Sequence, residues 1–278
     1  MQKTLKEIFS LDKKVVIITG GAGTLGEMHA EIIAEAGGIP ILVDVDEETA
    51  IRKAKSIAKK YNVPAMGIKT DITKESDIQS LLRKILEKFD RIDVLINNAA
   101  NNPKVKDSSE DIEWSRLENF TLDQWNKDLD VGLTGSFLCS KIIGTDMAKK
   151  GGGVIINISS DLGIIAPDQR LYYKKELNED KQPVKPISYP VVKSALFGLT
   201  RYLATYWADK NIRVNSLSPG GVHENQPDEF LKKINQYIPL GRMAKKDEYK
   251  GAILFLCSDA SSYMTGSNLV VDGGRTCW

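Results

Sequence analysis

The stretch that decides the fold is VVIITGGAGTLGEMHAEIIAE, residues 15–35. It begins with a short apolar run rich in β-branched residues, passes through a glycine-rich turn at 19–26, and continues with apolar residues at helical spacing. A strand that leads directly into such a turn and a helix can bring backbone N–H groups and a helix N-terminus onto a pyrophosphate. These residues therefore predict a dinucleotide-binding unit, and we call 19–26 the glycine loop.

The rest of the chain repeats the alternation of strand and helix. Apolar runs typical of buried strands lie at 15–19, 39–43, 65–69, 94–97, 154–158, 212–217 and 268–271. Stretches of helical period lie between them at 47–61, 74–89, 122–149 and 189–207. This order predicts an α/β fold over residues 1–278: a single-domain Rossmann fold with a doubly wound parallel sheet of about seven strands and helices on both faces.

Two polar segments, 101–115 and 168–187, interrupt this order and are predicted to be insertions. Each follows a predicted strand, and ligands of open α/β sheets bind beyond the carboxyl ends of the strands. We therefore expect both insertions to be substrate loops.

Composition limits the classes of partner. The 278 residues are 42% hydrophobic and carry a net charge of +1, from 38 basic and 37 acidic side chains. This balance supports a full core and gives no global attraction to nucleic acid or to an anionic membrane, so we expect a small-molecule substrate. Cys139, Cys257 and Cys277 form no CxxC pair, which predicts free thiols and no metal site. The first residues contain no apolar signal core, so a cytoplasmic protein is expected.

The end of the second predicted strand bears on cofactor choice. Asp44 can accept hydrogen bonds from the adenosine ribose hydroxyls and would repel the additional phosphate of NADP. The glycine loop contains no Lys or Arg to offset that repulsion, so NAD is predicted and NADP is disfavoured. The alternatives are a solvated strand end for Asp44 and a purely structural turn for the loop.

Further motifs follow in a characteristic order. They are DI at 71–72, NNAA at 97–100, NISS at 157–160, YPVVK at 189–193, NSLSPG at 215–220, IPLGRM at 238–243 and VVDGG at 270–274. Over nearly its whole length the chain resembles the smaller branch of the short-chain dehydrogenase/reductase family. The resemblance implies a homo-oligomer, either a tetramer or a dimer. It also implies a set of cofactor-binding residues: Gly20, Gly23, Thr24, Leu25, Gly26, Asp44, Asp71, Ile72, Asn98, Ala99, Tyr189, Lys193, Pro219, Gly220 and Val222.

Tyr189 and Lys193 are the predicted centre of the chemistry. Residues four apart on a helix share a face, and a neighbouring ammonium favours the ionised form of a phenol. Tyr189 is therefore expected to act as general acid/base, with Ser160 holding the same substrate oxygen. The predicted reaction is NAD-dependent interconversion of a secondary alcohol and a ketone on a polar, sugar-type substrate. Outside this family, such a pair is usually a surface contact without function.

Two departures from the family pattern keep other functions open. The family usually has an Asn on the central helix that supports a water relay to the lysine, whereas this chain has Gly132. Either a water or a residue from the insertions completes the relay, or turnover is slower. The glycine loop has the spacing TGxxGxxG, which resembles the extended branch with its epimerases and dehydratases. The alternatives are therefore transient oxidation within an epimerase or dehydratase, and a non-catalytic NAD-binding protein.

The separation of Ser160 from Tyr189 is unusual. In this chain 28 residues lie between them, more than twice the family's usual number. The segment is either a substrate lid, with Arg170, Lys174 and Lys175 reaching a phosphate or carboxylate, or a surface or subunit-contact loop. In this insertion the chain resembles family members associated with bacterial surface-sugar and flagellin glycan synthesis.

Three smaller expectations concern single residues near the predicted site and the end of the chain. His29 is interpreted as a packing residue. His223 is a weaker candidate for substrate contact. Residues 275–278 are candidates for a contact with a neighbouring subunit.

Overall fold

The structure is a computed structural model that describes residues 3–101 and 113–278, and a parallel sheet forms its centre. Part of the first predicted insertion, 102–112, lies outside the described residues. The strands are β1 (Val15–Thr19), β2 (Ile39–Asp44), β3 (Met66–Lys69), β4 (Val94–Asn97), β5 (Gly153–Ile158), β6 (Ile212–Pro219) and β7 (Asn268–Val271). Their order is β3-β2-β1-β4-β5-β6-β7, with every neighbouring pair parallel. The predicted Rossmann architecture is confirmed.

Helices connect the strands. They are α1 (Leu5–Phe9), α2 (Thr24–Glu35), α3 (Glu47–Tyr61), α4 (Glu75–Phe89), α5 (Leu122–Leu129), α6 (Gly135–Lys149), α7 (Ser188–Tyr206), α8 (Asp228–Ile234) and α9 (Lys250–Cys257). The helix predicted over 122–149 is divided, because a π-helical segment, Asp130–Thr134, joins α5 to α6. Such π segments occur often at functional sites.

The apolar strand residues divide between two cores, one on each face of the sheet. Val15 and Ile17 of β1 pack with residues from α4, α6 and α7. Val16 and Ile18 point the other way and pack with α2, α3 and α9. Helices therefore cover both faces, which explains why the strands are almost continuously apolar rather than alternating with polar residues.

The strand order places a crevice beside β1. The chain leaves β1 toward β2 and β3, and later returns to add β4 on the opposite side. The connections at the carboxyl ends of β1 and β4 therefore diverge, which is where ligands of open α/β sheets bind. The glycine loop follows β1, and Asn98 follows β4.

Candidate active site

A cleft of about 1190 Å³ opens at the carboxyl ends of the strands. Small-ligand pockets usually measure about 300 to 1,000 Å³, so this cleft has room for a dinucleotide together with a second small molecule. Its walls include nearly all of the residues that the sequence predicted for the site: Gly20, Gly23, Thr24, Leu25, Asp44, Asp71, Ile72, Asn98, Ala99, Ser160, Tyr189, Lys193, Pro219, Gly220 and Val222. Gly26 does not line the cleft. Its role is to let α2 pack closely against the glycine loop.

The glycine loop is held by close backbone contacts. Gly20 has a positive φ of 65°, which glycine adopts readily. A Cβ on Gly26 would lie 2.2 Å from the Gly20 carbonyl oxygen, so only glycine lets α2 begin this close to the loop. Gly23 is the N-cap of α2 and supplies no side-chain cap. The first N–H groups of α2 are therefore not capped by that residue and face the cleft.

Asp44 ends β2 beside this loop. One of its carboxylate oxygens accepts a hydrogen bond from Ala22 N at 3.0 Å, and the other accepts one from Asp46 N at 3.1 Å. A cation that the sequence did not suggest lies nearby: Lys53 of α3 donates to Ala22 O at 2.8 Å and pairs with Glu27 at 2.8 Å. Lys53 thus braces the loop from behind and already has an anionic partner.

Two further segments shape the walls around the loop. Asn98 fixes the end of β4 by donating through Nδ2 to Thr19 O at 2.9 Å, and Thr19 Oγ1 accepts from the backbone N of Asn98 and Ala99 at 3.0 Å. Asp71, after β3, accepts from Thr73 Oγ1 at 2.7 Å, and this hydrogen bond is the main cause of its lowered pKa. Asp71 is therefore a preorganised acceptor on the cleft wall.

The segment after β6 closes over the loop. Pro219 ends the strand, and Tyr249 Oη donates to Gly220 O at 2.7 Å. Glu224 accepts a hydrogen bond from Thr24 Oγ1 at 2.8 Å. This contact joins the first residue of α2 to the opposite wall of the cleft.

Tyr189 and Lys193 lie in the first two turns of α7 and both line the cleft. Lys193 Nζ lies 5.7 Å from the centroid of the Tyr189 ring and donates to Ile158 O, at the end of β5, at 2.7 Å. Ser159 Oγ donates to the backbone carbonyl of Lys193, also at 2.7 Å. The two residues are therefore fixed against β5 both through the lysine side chain and through the helix backbone.

A buried polar ladder between the sheet and its helices supports this placement, and no pattern in the sequence predicts it. Asn97 of β4 donates to Asn157 Oδ1 of β5 at 2.9 Å, and Asn157 in turn donates to Thr200 Oγ1 of α7 at 2.9 Å. Asn97 also contacts Ser140 Oγ of α6 at 3.0 Å. Hydrogen bonds in a low-dielectric interior are strong and directional, so the ladder sets the register of α7 on the sheet.

Burial sets the electrostatics of the pair in the protein alone. It raises the pKa of Tyr189 to about 12, against a smaller opposing effect of a hydrogen bond with Ser160. Burial also lowers the pKa of Lys193 to about 8, and the charge of Lys185 acts in the same direction. The ionised form expected of Tyr189 during the reaction, with the cofactor bound, stays a prediction.

Ser160 follows β5 and has an acidic neighbour that the sequence analysis missed. Its Oγ donates to Asp161 Oδ1 at 2.7 Å, and Asp161 Oδ2 pairs with Arg275 Nη1 at 2.6 Å. The side chains of Asp161 and Arg275 are only 4% and 11% exposed, so this is a buried ion pair. The only sequence sign was that Asp161 directly follows Ser160, while Arg275 had been considered only for a subunit contact.

Position 132, where the family usually has the relay asparagine, has no space for a side chain in this protein. Gly132 lies in the π-helical segment, and a Cβ there would lie 2.5 Å from Val192 Cγ1 of α7. Val is β-branched and has little freedom to turn away. A larger side chain at position 132 would therefore force α7 and the π segment apart, and the central helix contributes no side chain at this point.

The inserted segment, 168–187, forms one wall of the cleft. Leu171 packs into a small core with Ile234, Ile238 and Met243, and the Tyr172 ring lies 5.9 Å from that of Phe230. Gln182 closes the segment on itself, since its side chain bonds the backbone N and O of Lys174 at 2.8 Å each. The segment is thus folded against α8 and the residues that follow it.

Of the three cations predicted to reach the substrate, one lines the cleft. Lys174 does so, whereas Lys175 is exposed and Arg170, 81% exposed, forms a bidentate pair with Asp168 at the surface. The predictions for Arg170 and Lys175 are wrong. Lys185, which the sequence analysis did not single out, lines the cleft instead.

The two histidines do not line the cleft. His29 is 1% exposed within α2, as expected of a packing residue, and burial lowers its pKa to about 4. In the described part of the chain, no group of three or more His, Cys, Asp or Glu side chains is arranged to hold a metal ion. Over the same residues, none of the helices combines the length and apolarity needed to cross a membrane.

Comparisons with known proteins show which family the chain resembles. A family model described as short chain dehydrogenase matches residues 14–174, and one described as enoyl-(acyl carrier protein) reductase matches 179–276. The NAD-dependent glycerol dehydrogenase of Listeria innocua is 32% identical, covering 96% of each chain. The NADP-dependent mannitol dehydrogenase of Alternaria alternata is 34% identical, covering 97% of this chain and 95% of that protein.

A solved structure shows the same likeness in three dimensions. The gluconate 5-dehydrogenase of Burkholderia cenocepacia, solved in complex with NADP and tartrate, superposes with a TM-score of 0.85 at 26% identity. The match covers 99% of this chain and 100% of that one.

Proposed function

Because this chain belongs to the short-chain dehydrogenase/reductase family, and is thus an oxidoreductase with a nicotinamide cofactor, we propose that it oxidises a secondary alcohol of a polyhydroxy substrate with NAD, or reduces the matching ketone. The observation that carries the proposal is that Ser160, Tyr189 and Lys193 line the same cleft as the glycine loop. Relatives named for glycerol and mannitol support a polar, sugar-type substrate.

The cleft suits a nicotinamide dinucleotide. A Cβ on Gly20 would lie 3.0 Å from Ala99 Cα, so the loop backbone lies as close to its neighbours as glycine permits. The first N–H groups of α2, at the positive end of the helix dipole, are suited to the pyrophosphate. Bound NAD would supply the hydride acceptor for the reaction.

In this mechanism the chain moves the proton. Tyr189 Oη takes the proton of the substrate hydroxyl during oxidation and returns it to the carbonyl oxygen during reduction. Ser160 Oγ holds the same oxygen by donating its one hydrogen to it. That hydrogen is donated to Asp161 in the protein alone and turns to the substrate oxygen when substrate binds. Lys193, buried and hydrogen-bonded to Ile158 O, provides a positive charge that favours the tyrosinate.

For cofactor choice, Asp44 supports NAD. Its carboxylate lies on the cleft wall, and its hydrogen bonds with Ala22 N and Asp46 N hold it there. The additional phosphate that NADP carries on the adenosine ribose would lie close to the Asp44 carboxylate, and the two negative charges would repel each other. The nearby Lys53 is already bonded to Ala22 O and paired with Glu27, so it offsets little of that repulsion.

The assembly and location follow as a further part of the proposal. We propose one domain, over residues 1–278, that forms a cytoplasmic homodimer or homotetramer. Tyr202 and Tyr206 of α7 stack on each other while remaining 63% and 61% exposed, and Phe137 of α6 is 47% exposed. Aromatic patches of this kind are typical of contacts between subunits. Multi-angle light scattering of the wild type and of Tyr206→Lys tests it, and a monomeric wild type would refute it.

The reaction is tested by absorbance of NADH. The protein is incubated with NAD and a panel of polyols, sugar acids, sugar phosphates and sugar nucleotides, and the reverse reaction is run with the matching ketoses. Stoichiometric NADH formation with at least one polyol is expected. Product that changes configuration or loses water without net NADH would instead identify the epimerase or dehydratase alternative. Absence of any turnover despite tight NAD binding would contradict the proposal.

A further inference from the structure

A second lysine, from the inserted segment, lies beside the catalytic phenol. Lys185 Nζ is 3.9 Å from the centroid of the Tyr189 ring, closer than Lys193 Nζ at 5.7 Å. The two ammonium groups both lie within the distance at which a cation interacts with an aromatic face. None of the family motifs quoted above includes Lys185.

The backbone on both sides of Lys185 is fixed. Its own N–H donates to Gln169 Oε1 at 2.8 Å, and that of Val184 donates to Ser115 Oγ at 3.1 Å. Pro183 and Pro186 are both buried, and α7 begins only two residues after the second proline, at Ser188. The lysine is thus presented from a rigid position in the inserted segment.

Several charged groups of the described residues surround Lys185. They are Asp128 of α5, Asp161 after β5, Tyr189 and Lys193 of α7, and Arg275 near the end of the chain. The two carboxylates are shared with other donors: Asp161 with Arg275 and Ser160, and Asp128 with Ser188 and Gln124. The Lys185 ammonium therefore lies among two carboxylates and the tyrosine, and its charge acts on each of them.

We propose that Lys185 is a positioning residue for proton transfer: its ammonium, held over the Tyr189 ring, stabilises the tyrosinate that this reaction requires. The inference rests on the proposed function. It assigns to the inserted segment an electrostatic role in the chemistry as well as a place in the substrate wall. An insertion thereby adds a positive charge to a site whose central helix has glycine at position 132.

The physical basis is the change in charge of the ring on ionisation. A tyrosinate carries negative charge on its ring and oxygen, so a cation over the ring face attracts it more strongly than it attracts the neutral phenol. Partial burial strengthens this interaction, because little water screens charges in the cleft wall. Removal of the Lys185 charge should therefore disfavour the ionised form.

The first test follows tyrosinate directly and requires no substrate. Burial lowers the pKa of Lys185 to about 8, so tyrosinate is followed below pH 8, where the ammonium persists, in the complex with NAD, whose nicotinamide charge also favours tyrosinate. Ultraviolet difference absorbance is titrated with pH, and the signal of the same protein carrying Tyr189→Phe is subtracted to isolate one tyrosine. In Lys185→Met the tyrosinate fraction at a given pH in this range should fall about tenfold, equivalent to a rise of the Tyr189 midpoint by about one pH unit. Lys185→Arg, which retains the charge, should keep the wild-type midpoint.

The matched control is Lys181→Met, in the same segment but exposed and away from the cleft, which should leave the midpoint unchanged. Circular dichroism and thermal unfolding identify folded variants, and Lys185→Gln replaces Lys185→Met if the latter does not fold. An unchanged midpoint in the neutral variants would overturn the proposal, whether or not the protein turns over any substrate in the panel.

The second test uses turnover. In the oxidation direction, the pH at which kcat reaches half its maximum should rise by the same amount in Lys185→Met and return in Lys185→Arg. A rise in KM with an unchanged pH profile would make Lys185 a substrate-binding residue and overturn the proposal. If the wild type shows no turnover while the tyrosinate titration shifts as expected, the proposed function fails and the role of Lys185 stands.

Discussion

The two walls of the cleft are built in different ways. The wall proposed for the cofactor, called the cofactor wall, is formed by the glycine loop, α2 and the residues after β2, β3 and β4. Its parts are fixed by neighbours close in sequence, by the sheet and by one distant bond between Thr24 and Glu224. The wall proposed for the substrate, called the substrate wall, is formed by the inserted segment, α8 and the last residues of the chain, which meet through contacts far apart in sequence. Tyr173 and Lys233, for example, are 60 positions apart. The comparison shows that one wall is encoded by motifs and the other by tertiary packing.

The largest expected effect concerns Tyr189, which lies where the two walls meet. Tyr189→Phe removes the hydroxyl and should reduce kcat by about 10²- to 10⁴-fold, the usual contribution of general acid/base catalysis, while NAD binds nearly as well. Stopped-flow absorbance measures turnover, and calorimetry measures NAD affinity. Retention of the wild-type rate would remove Tyr189 from the mechanism, and retention of the cellular role without turnover would favour the non-catalytic alternative.

The substrate wall should be the more sensitive to loss of one long-range contact. Arg275→Met leaves the Asp161 carboxylate buried without its cation and should destabilise the protein by about 3 to 5 kcal/mol, as measured by urea unfolding. Arg170→Met removes a cation from an exposed pair and should leave the unfolding midpoint nearly unchanged.

The double variant Asp161→Asn, Arg275→Met tests the cause of that loss. Because it leaves no charge buried alone, it should recover much of the stability lost in Arg275→Met. No recovery would mean that the arginine acts through packing of its stem rather than through its charge.

The cofactor wall should respond to acid, because His29 is buried in α2. Its pKa is about 4 in the folded protein and 6.5 in an ordinary environment, so below pH 6.5 the unfolded chain takes up a proton that the folded chain does not. Stability should therefore fall as the pH decreases from 6.5 to 4, by up to about 3 kcal/mol from this residue. Urea unfolding across this range measures it, and His29→Gln should flatten the dependence. An equally steep curve in the variant would assign the acid sensitivity elsewhere.

The smallest effect concerns cofactor choice. Asp44→Asn removes the charge but retains an oxygen that can accept from Ala22 N or Asp46 N. The ratio of the Kd for NADP to the Kd for NAD should fall by about tenfold. NADP binds more tightly because the charge repulsion is lost, and NAD binds less tightly because the hydrogen bonds to its ribose are weaker. Calorimetry with each cofactor gives the ratio. Tighter binding of NADP than NAD by the wild type would refute the role given to Asp44.

The sequence predicted which residues line the cofactor wall because the signals for them are local. Gly20 and Gly26 lie six residues apart, and the conformations they permit follow from the covalent chain. Several strands also lead directly to predicted site residues, as β1 does to Gly20 and β4 to Asn98. Seven strands could be located because each is an apolar run between helices that cover both faces.

The substrate wall could not be predicted in the same way. The inserted segment contains several lysines and an arginine, and their order gives no indication of which one faces the cleft. That is decided by Leu171, which anchors the segment beside Ile234 and Met243, and by the two prolines around Lys185. The pKa of Tyr189 was also beyond sequence reasoning, since it depends on how much water the folded cleft retains.

The hydrogen bonds that hold Tyr189 and Lys193 in place have a consequence for how such an enzyme changes its substrate in evolution or by design. The bonds come from Ile158 and Ser159, at the end of β5, and from Thr200 of α7, and all three residues lie outside 168–187. The segment 168–184 could therefore be exchanged for that of another enzyme without moving Tyr189 or Lys193, provided that the graft keeps Gln169, whose side chain holds the backbone of Lys185. The fold separates what the protein does to its substrate from which substrate it accepts.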